Sequence, residues 1–311
     1  MKYGFVAFYS DEVVKFASKA GFDALEIFVD PETSLNLDKL TESDIDRVNA
    51  NFKENNIEVA TISCSAKHLH GDPAKRKEHI DYMTKAIKTA KKFGTDMVVT
   101  NAFGDKTKSP VDNLPCYKKV FSEYARLAED EGITIAIENC PHWNGLPPTA
   151  VENIAFSPEM WEAMFNEVPS KAIGLEFDPS HLHWSGIDII KALRDFGDRV
   201  YAFHAKDTEI LEEERNKYGI IGMQIGKVNK WDAGWWRYRI PGFGQINWKQ
   251  IYNTLYELEY KGPMIIEHED PVFGGDHAEN GIDFGERTKL GLKLGLEFLK
   301  ECDIIRGIKN D

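Results

Sequence analysis

Thr134-Ile-Ala-Ile-Glu138 and Gly174-Leu-Glu-Phe-Asp178 decide the fold. Each is a short apolar run that ends in a carboxylate. Along a strand, successive side chains point to opposite faces, so Thr134, Ala136 and Glu138 share one face while Ile133, Ile135 and Ile137 share the other. The large apolar face suits packing against helices, and the small, charged face lines an interior. Two further runs end in the same way, Val200-Tyr-Ala-Phe-His204 and Met264-Ile-Ile-Glu267. Three acids and an imidazole at the tips of four strands describe one site for a divalent metal.

Outward from these runs, period and punctuation predict eight strands: Tyr3–Phe8, Ala24–Val29, Glu58–Ser63, Asp96–Asn101, Thr134–Glu138, Ile173–Asp178, Val200–His204 and Pro263–Glu267. A helical pattern follows each. Ser10 and Thr41 stand where N-caps belong, and further helices are expected over about 73–93, 112–131, 157–166, 187–196, 248–259 and 286–301. Eight units fill the 311 residues without leaving a second core, so the expected fold is α/β, a single (β/α)8 TIM barrel over residues 1–311. In that architecture chemistry sits at the C-terminal ends of the strands. Glu138, Asp178, His204 and Glu267 all lie there, on strands five to eight, which are neighbours. From about 208 to 247, after strand seven, no strand-like run is evident. This long loop carries Trp231, Trp235, Trp236 and Tyr238 and is read as functional.

Composition narrows the partners. The net charge is −13, from 51 acidic and 38 basic residues, with no long basic run. A nucleic-acid backbone or an anionic membrane surface is therefore a poor match, and a small neutral or metal-held substrate a good one. Four scattered cysteines form no Cys-x-x-Cys pair, and no apolar run is long enough to span a bilayer. A soluble cytoplasmic protein is expected. No Gly-x-Gly-x-x-Gly follows a strand and there is no Walker loop, so no nucleotide cofactor is implied.

The mixed oxygen and nitrogen donor set suits one divalent ion, Mn2+ first, with Mg2+, Co2+ or Zn2+ acceptable. The competing reading is that these acids pair with Lys206 or Arg239 as internal salt bridges. His181, three residues after Asp178, is placed to contact substrate. His142, on the loop after strand five, could reach the same cavity as a base. Cys140 beside it offers a nucleophilic pair only if the two side chains meet. Glu26, His68, Asn101, Lys206 and Arg239 could hold hydroxyls, and Trp143, Trp184, Trp235 and Trp236 offer apolar faces to a sugar.

Ala136-Ile-Glu-Asn-Cys-Pro, Gly174-Leu-Glu-Phe-Asp-Pro-Ser-His-Leu, Phe203-His-Ala-Lys-Asp-Thr-Glu, Trp236-Arg-Tyr-Arg-Ile-Pro-Gly and Ile265-Ile-Glu-His-Glu-Asp-Pro, in this order, resemble the sugar phosphate isomerase/epimerase family of xylose-isomerase-like barrels. The resemblance covers nearly the whole chain. It implies that Glu138, Asp178, His204 and Glu267 are metal ligands, that His181 contacts substrate, that Glu138 and Glu267 are the acid/base pair, and that Arg239 is a substrate-holding loop arginine. The activity it implies is isomerisation or epimerisation of a keto sugar by proton abstraction next to the carbonyl, through a metal-stabilised enediolate. A rival within the same family is β-elimination from 3-oxo-glycosides, as in the catalytic subunits of C-glycoside deglycosidases, where a histidine resembling His142 is the base. A homo-oligomer is expected, or a small accessory subunit in the lyase case. Endonuclease relatives use extra histidines that are absent here, one of them replaced by Asn101. A two-carboxylate glycoside hydrolase would need neither His204 nor an ion.

Overall fold

The computed structural model describes residues 1–142, 151–220, 234–274 and 284–303. The chain opens with β1 (Tyr3–Ala7), α1 (Asp11–Ala20), β2 (Ala24–Phe28) and α2 (Glu42–Glu54). It continues through β3 (Glu58–Ser63), α3 (Pro73–Thr89), β4 (Met97–Thr100), α4 (Leu114–Glu131), β5 (Thr134–Glu138) and α5 (Pro158–Glu167). Then come β6 (Ile173–Phe177), the short α6 (Pro179–Ser185), α7 (Ile189–Phe196), β7 (Val200–Ala205), β8 (Asp207–Ile210) and α8 (Glu212–Tyr218). The last elements are β9 (Trp236–Arg239), α9 (Trp248–Glu257), β10 (Met264–Ile266) and α10 (Glu286–Cys302). Eight parallel strands close a barrel in the order β1-β10-β7-β6-β5-β4-β3-β2, which is the (β/α)8 architecture expected.

Local chemistry starts the helices where caps were expected. Ser10 accepts a hydrogen bond from the Val13 amide at the start of α1. Thr41 and Asp44 form a reciprocal capping box at the start of α2. Outward-facing Ile135 and Ile137 are fully buried under the helical layer, part of one core that runs around the barrel. The inner face instead carries small residues low in the barrel, where Val99, Ala136 and Ala202 meet.

Two irregularities set which side chains point inward. Leu25 pairs with Val59 but Glu26 with Thr61, so Ala60 is an extra residue in β3. Leu175 pairs with Val200 but Glu176 with Ala202, so Tyr201 is an extra residue in β7. One extra residue inverts the alternation of a strand relative to its neighbour. In β7 it lines up Ala202 and His204 with the inner face.

The excursion after β7 corrects the sequence reading of a strandless loop. β8 and β9 form an antiparallel ribbon in which Asp207 pairs with Arg239 and Ile210 with Trp236. Each strand has four residues, three of them charged or polar in β8 and two of them arginine in β9, too short and too mixed to register as an apolar run. The ribbon buries its own small aromatic cluster of Trp235, Trp236, Tyr238 and Ile210 against Trp184, whose indole stacks on Trp236 with ring centroids 4.8 Å apart. Asp207 ties the returning chain to the ribbon: it accepts hydrogen bonds from the amides of Gly242 and Ile246 and from the Trp248 indole. Gly244 has to be glycine here, since a Cβ would sit 2.2 Å from the Asp207 carboxylate. Among the described residues no helix is long and apolar enough to cross a membrane.

Candidate metal and substrate site

Strand ends and the residues just past them bring the ionisable groups together at the C-terminal mouth. Glu138 ends β5. Its Oε2 accepts a hydrogen bond from Asn101 Nδ2 at 3.1 Å, which turns Oε1 toward the barrel axis. The chain after Glu138 is held by Asn139, which exchanges two hydrogen bonds with the Asp178 backbone. It is also held by buried Asn153, whose amide donates to the carbonyls of Glu138 and Cys140. The ends of β5 and β6 are thus tied to one another.

Asp178 has two tasks. One oxygen caps α6 by accepting from the Ser180 amide, with Pro179 at the first helical position. The other faces His181 Nε2 at 3.2 Å and the Lys206 ammonium at 3.1 Å. His181 Nε2 is also 3.5 Å from Glu138 Oε1. On the far side of the ring, His181 Nδ1 is 2.8 Å from the Tyr238 hydroxyl, so the ribbon orients this histidine. Tyr238→Phe strands a buried imidazole nitrogen and is expected to cost about 1–3 kcal/mol, measured as a shift in the urea unfolding midpoint. An unchanged midpoint would remove the hydroxyl from this role.

His204 spans two levels. Its Nδ1 lies 3.4 Å from Glu138 Oε1 and 3.1 Å from Glu267 Oε2. Its Nε2 points down the barrel, 3.2 Å from Glu176 and 3.7 Å from Glu26. Glu26 in turn accepts from Thr61 Oγ1 at 2.7 Å. Burial pulls the His204 imidazole down, but the charges of Glu176 and Glu267 outweigh it and hold its pKa well above the usual range.

The donor atoms of Glu138, Asp178, His181 and Glu267 all lie within 4.8 Å of one another. Glu138 Oε1, Asp178 Oδ2, His181 Nε2 and His204 Nδ1 are buried and make no hydrogen bond of proper geometry. His181 Nε2 lies 3.2 Å from Asp178 and 3.5 Å from Glu138, and His204 Nδ1 lies 3.4 Å from Glu138, so Glu138 Oε1 stands between the two histidines. Donors about 2.0–2.2 Å from one cation lie about 3–3.5 Å from each other. The residues present therefore fit a divalent ion at Glu138, Asp178, His181 and Glu267; His204, expected in the sequence as the fourth ligand, stands beside this group, with Nδ1 on Glu138 and Glu267 and Nε2 in a second group with Glu26 and Glu176.

The salt-bridge alternative is present in part. Lys206, fully buried at the end of β7, places its ammonium against Glu267, Asp178 and Glu269, and over the Tyr238 ring at 4.4 Å. Its charge is thus shared among three carboxylates. Arg239 does not enter this cluster: Nε binds Asp270 at 2.8 Å and Nη1 binds Glu209 at 2.6 Å, so it fastens the ribbon to the segment after β10. Both groups are paired with carboxylates, as the internal salt-bridge reading expected.

Other expected contacts are also relocated. His68 is fully buried, with Nδ1 on the Tyr124 hydroxyl and Nε2 on the Thr100 hydroxyl, leaving no ring nitrogen for a substrate. Asn101 acts on Glu138. His142 is exposed at the mouth with a φ of 47°, and its ring edge meets Phe103. Burial pushes the neighbouring Cys140 thiol up, and the charges of His142 and His181 bring it down to about 7. Trp143 lies outside the described residues. Glu176, Glu269 and Tyr238 were not singled out as site residues in the sequence. Glu176 was detectable, because Gly174, Glu176 and Asp178 share one face by simple alternation.

A fold and site of this kind define a metal-type pocket in a closed barrel, and the family follows from comparison. Residues 14–302 match the model of the xylose isomerase-like TIM barrel family, and the chain belongs to it. It is 28% identical over 286 residues to the uncharacterized protein YfiH of Bacillus subtilis (strain 168), covering 84% of this chain and 88% of that protein. It is 24% identical over 281 residues to an inosose isomerase of Halalkalibacterium halodurans, covering 88% of each. The crystal structure of D-psicose 3-epimerase from Clostridium cellulolyticum H10 superposes with a TM-score of 0.70 at 18% identity, covering 97% of this chain and 99% of that one.

Proposed function

We propose that this protein is a divalent-metal-dependent isomerase or epimerase that moves a proton next to the carbonyl of an unphosphorylated keto sugar. The observation that carries the reading is that buried donor atoms of Glu138, Asp178, His181 and Glu267, from the ends of β5, β6 and β10 and from α6, lie within 4.8 Å of one another. The inosose isomerase and D-psicose 3-epimerase relatives support a sugar substrate. A cation held there by Glu138, Asp178, His204 and Glu267, Mn2+ for preference, supplies positive charge where the enediolate oxygens develop.

The remaining work belongs to the chain. β5 and β10 are separated in the barrel by β6 and β7, so Glu138 and Glu267 approach from different sides. One carboxylate takes the proton and the other returns it, to the opposite face for epimerisation or to the adjacent carbon for isomerisation. His181, held by Tyr238, is aimed at the same point and can hold a sugar oxygen. Among the described residues, Lys206 and Arg239 are spent on carboxylates, which favours a substrate without a phosphate.

A second reading, β-elimination from a 3-oxo-glycoside with His142 as base, is favoured by one observation. His142 holds a left-handed backbone conformation that non-glycine residues rarely adopt, at the mouth of the site. The two readings separate when the Mn2+-loaded protein is incubated in D2O with ketohexoses and with 3-oxo-glycosides and the products are weighed by mass spectrometry. The expected result is solvent deuterium in recovered ketose, with His142→Ala within about threefold of the parent, since a general base would contribute about 10²–10⁴-fold. Aglycone release that His142→Ala abolishes would replace the isomerase reading with the lyase.

A further inference from the structure

We infer that Glu176 is the positioning residue for His204, and that with Glu26 it forms a lower carboxylate tier selecting which ring nitrogen of His204 faces the ion. This rests on the metal-site reading above. His204 is the one member of the cluster that meets acids at both ring nitrogens. Upward, Nδ1 faces Glu138 and Glu267; downward, Nε2 is 3.2 Å from Glu176 Oε1 and 3.7 Å from Glu26 Oε1.

A neutral imidazole carries one proton. With an ion at Nδ1 that proton has to sit on Nε2, and Glu176 is the acceptor within reach. With an ion at Nε2, the Nδ1 proton would be driven against two carboxylates already facing the ion. Glu176 therefore favours the first arrangement.

Two independent observations support a built feature. Glu176 is completely buried, and among the described residues its polar neighbours are His204, 3.2 Å away, and Glu26, so the carboxyl has no partner outside this tier. Buried carboxylates without partners are costly and are not retained for packing. Among the described residues, the two register shifts in the barrel fall beside Glu26 and beside Glu176. The shift in β7 aligns His204 with the inner face next to Glu176, and the shift in β3 brings Thr61 to Glu26, whose second oxygen it engages. Bulges re-aim side chains in this way next to active sites.

The test is Mn2+ binding, read as free Mn2+ by electron paramagnetic resonance, together with the nitrogen coupling of directly bound imidazole in electron spin-echo spectra. Glu176→Gln keeps an acceptor oxygen and is expected to stay within about threefold of the parent, whereas Glu176→Leu weakens binding about 10–100-fold and reduces the nitrogen coupling. Circular dichroism establishes that both variants are folded. Should the leucine variant not fold, the parent loaded with diamagnetic Zn2+ and labelled with 15N-histidine answers the question: Nε2 of His204 is expected to be protonated and Nδ1 metal-shifted. A leucine variant with unchanged affinity and unchanged nitrogen coupling overturns the proposal alone, as does the opposite tautomer. Two ions per chain, the second lost in Glu176→Leu, would make Glu176 a ligand and also overturn it. A parent protein that takes up no divalent ion overturns the metal-site reading and this one together.

Discussion

Glu138→Gln and Glu267→Gln are each expected to slow deuterium exchange into the keto sugar by about 10²–10⁴-fold, the contribution of a placed proton-transfer group. The substitutions keep the size and hydrogen-bonding reach of the side chain and remove its basicity. Glu138→Gln can still accept from Asn101, and Glu267→Gln can still meet Lys206, so folding is expected to survive. Each variant is assayed at saturating Mn2+ with metal content measured alongside. Exchange that falls while the ion stays bound identifies proton transfer as the lost step. Exchange that persists at the parental rate in either variant would exclude that glutamate from the acid/base pair.

Lys206→Met is expected to be the most destabilising single change at the mouth. The ammonium is buried among Glu267, Asp178 and Glu269, and its removal leaves three carboxylates facing one another without a counter-charge. Breaking a buried ion pair from one side costs about 3–5 kcal/mol. A divalent ion brings positive charge to two of the same three groups, so added Mn2+ is expected to recover most of that loss. Urea unfolding in chelator and in excess Mn2+ measures both quantities. A loss of the same size in both conditions would mean that Lys206 and the ion do not share ligands.

The same cluster sets a pH dependence for the metal-free parent. Burial raises the Asp178 carboxyl, but Lys206 and His181 outweigh it and hold its pKa below the ordinary value. A group whose pKa is depressed by folding stabilises the protein above its unfolded pKa, near 4, and that contribution drains away as the pH falls below it. The metal-free protein is therefore expected to lose stability below about pH 4.

Most of the barrel is legible in the sequence because each stave is an apolar run flanked by a cap or a glycine. Ile133 to Glu138 reads as a strand on its own, and the four acid or imidazole tips can be aligned without knowing any contact. What remains illegible depends on side chains meeting across strands. The parity of β7 turns on one extra residue, Tyr201, which no periodicity of Val200-Tyr-Ala-Phe-His204 alone reveals. The ribbon was missed because Arg237 and Glu209 pair across it, and a search for apolar runs passes over charged pairs. Yet Trp236-Arg-Tyr-Arg239 alternates strictly, and that signal was available. Lys206 and Arg239 could be placed near the site by sequence, but only coordinates distinguish a cation that waits for substrate from one already shared among carboxylates.

The ribbon has a consequence for how such a barrel diversifies. Tyr238 reaches His181 from an appendage fastened to the barrel by a few polar anchors, Asp207 and the Arg239–Asp270 pair among them. The carboxylates and imidazole of the mouth stand at the ends of staves whose register is locked by neighbours on both sides. Sequence change within the two ribbon strands, away from these anchors, thus leaves the stave register untouched, so the mouth of the barrel can be reshaped there while the carboxylates at the stave ends are kept.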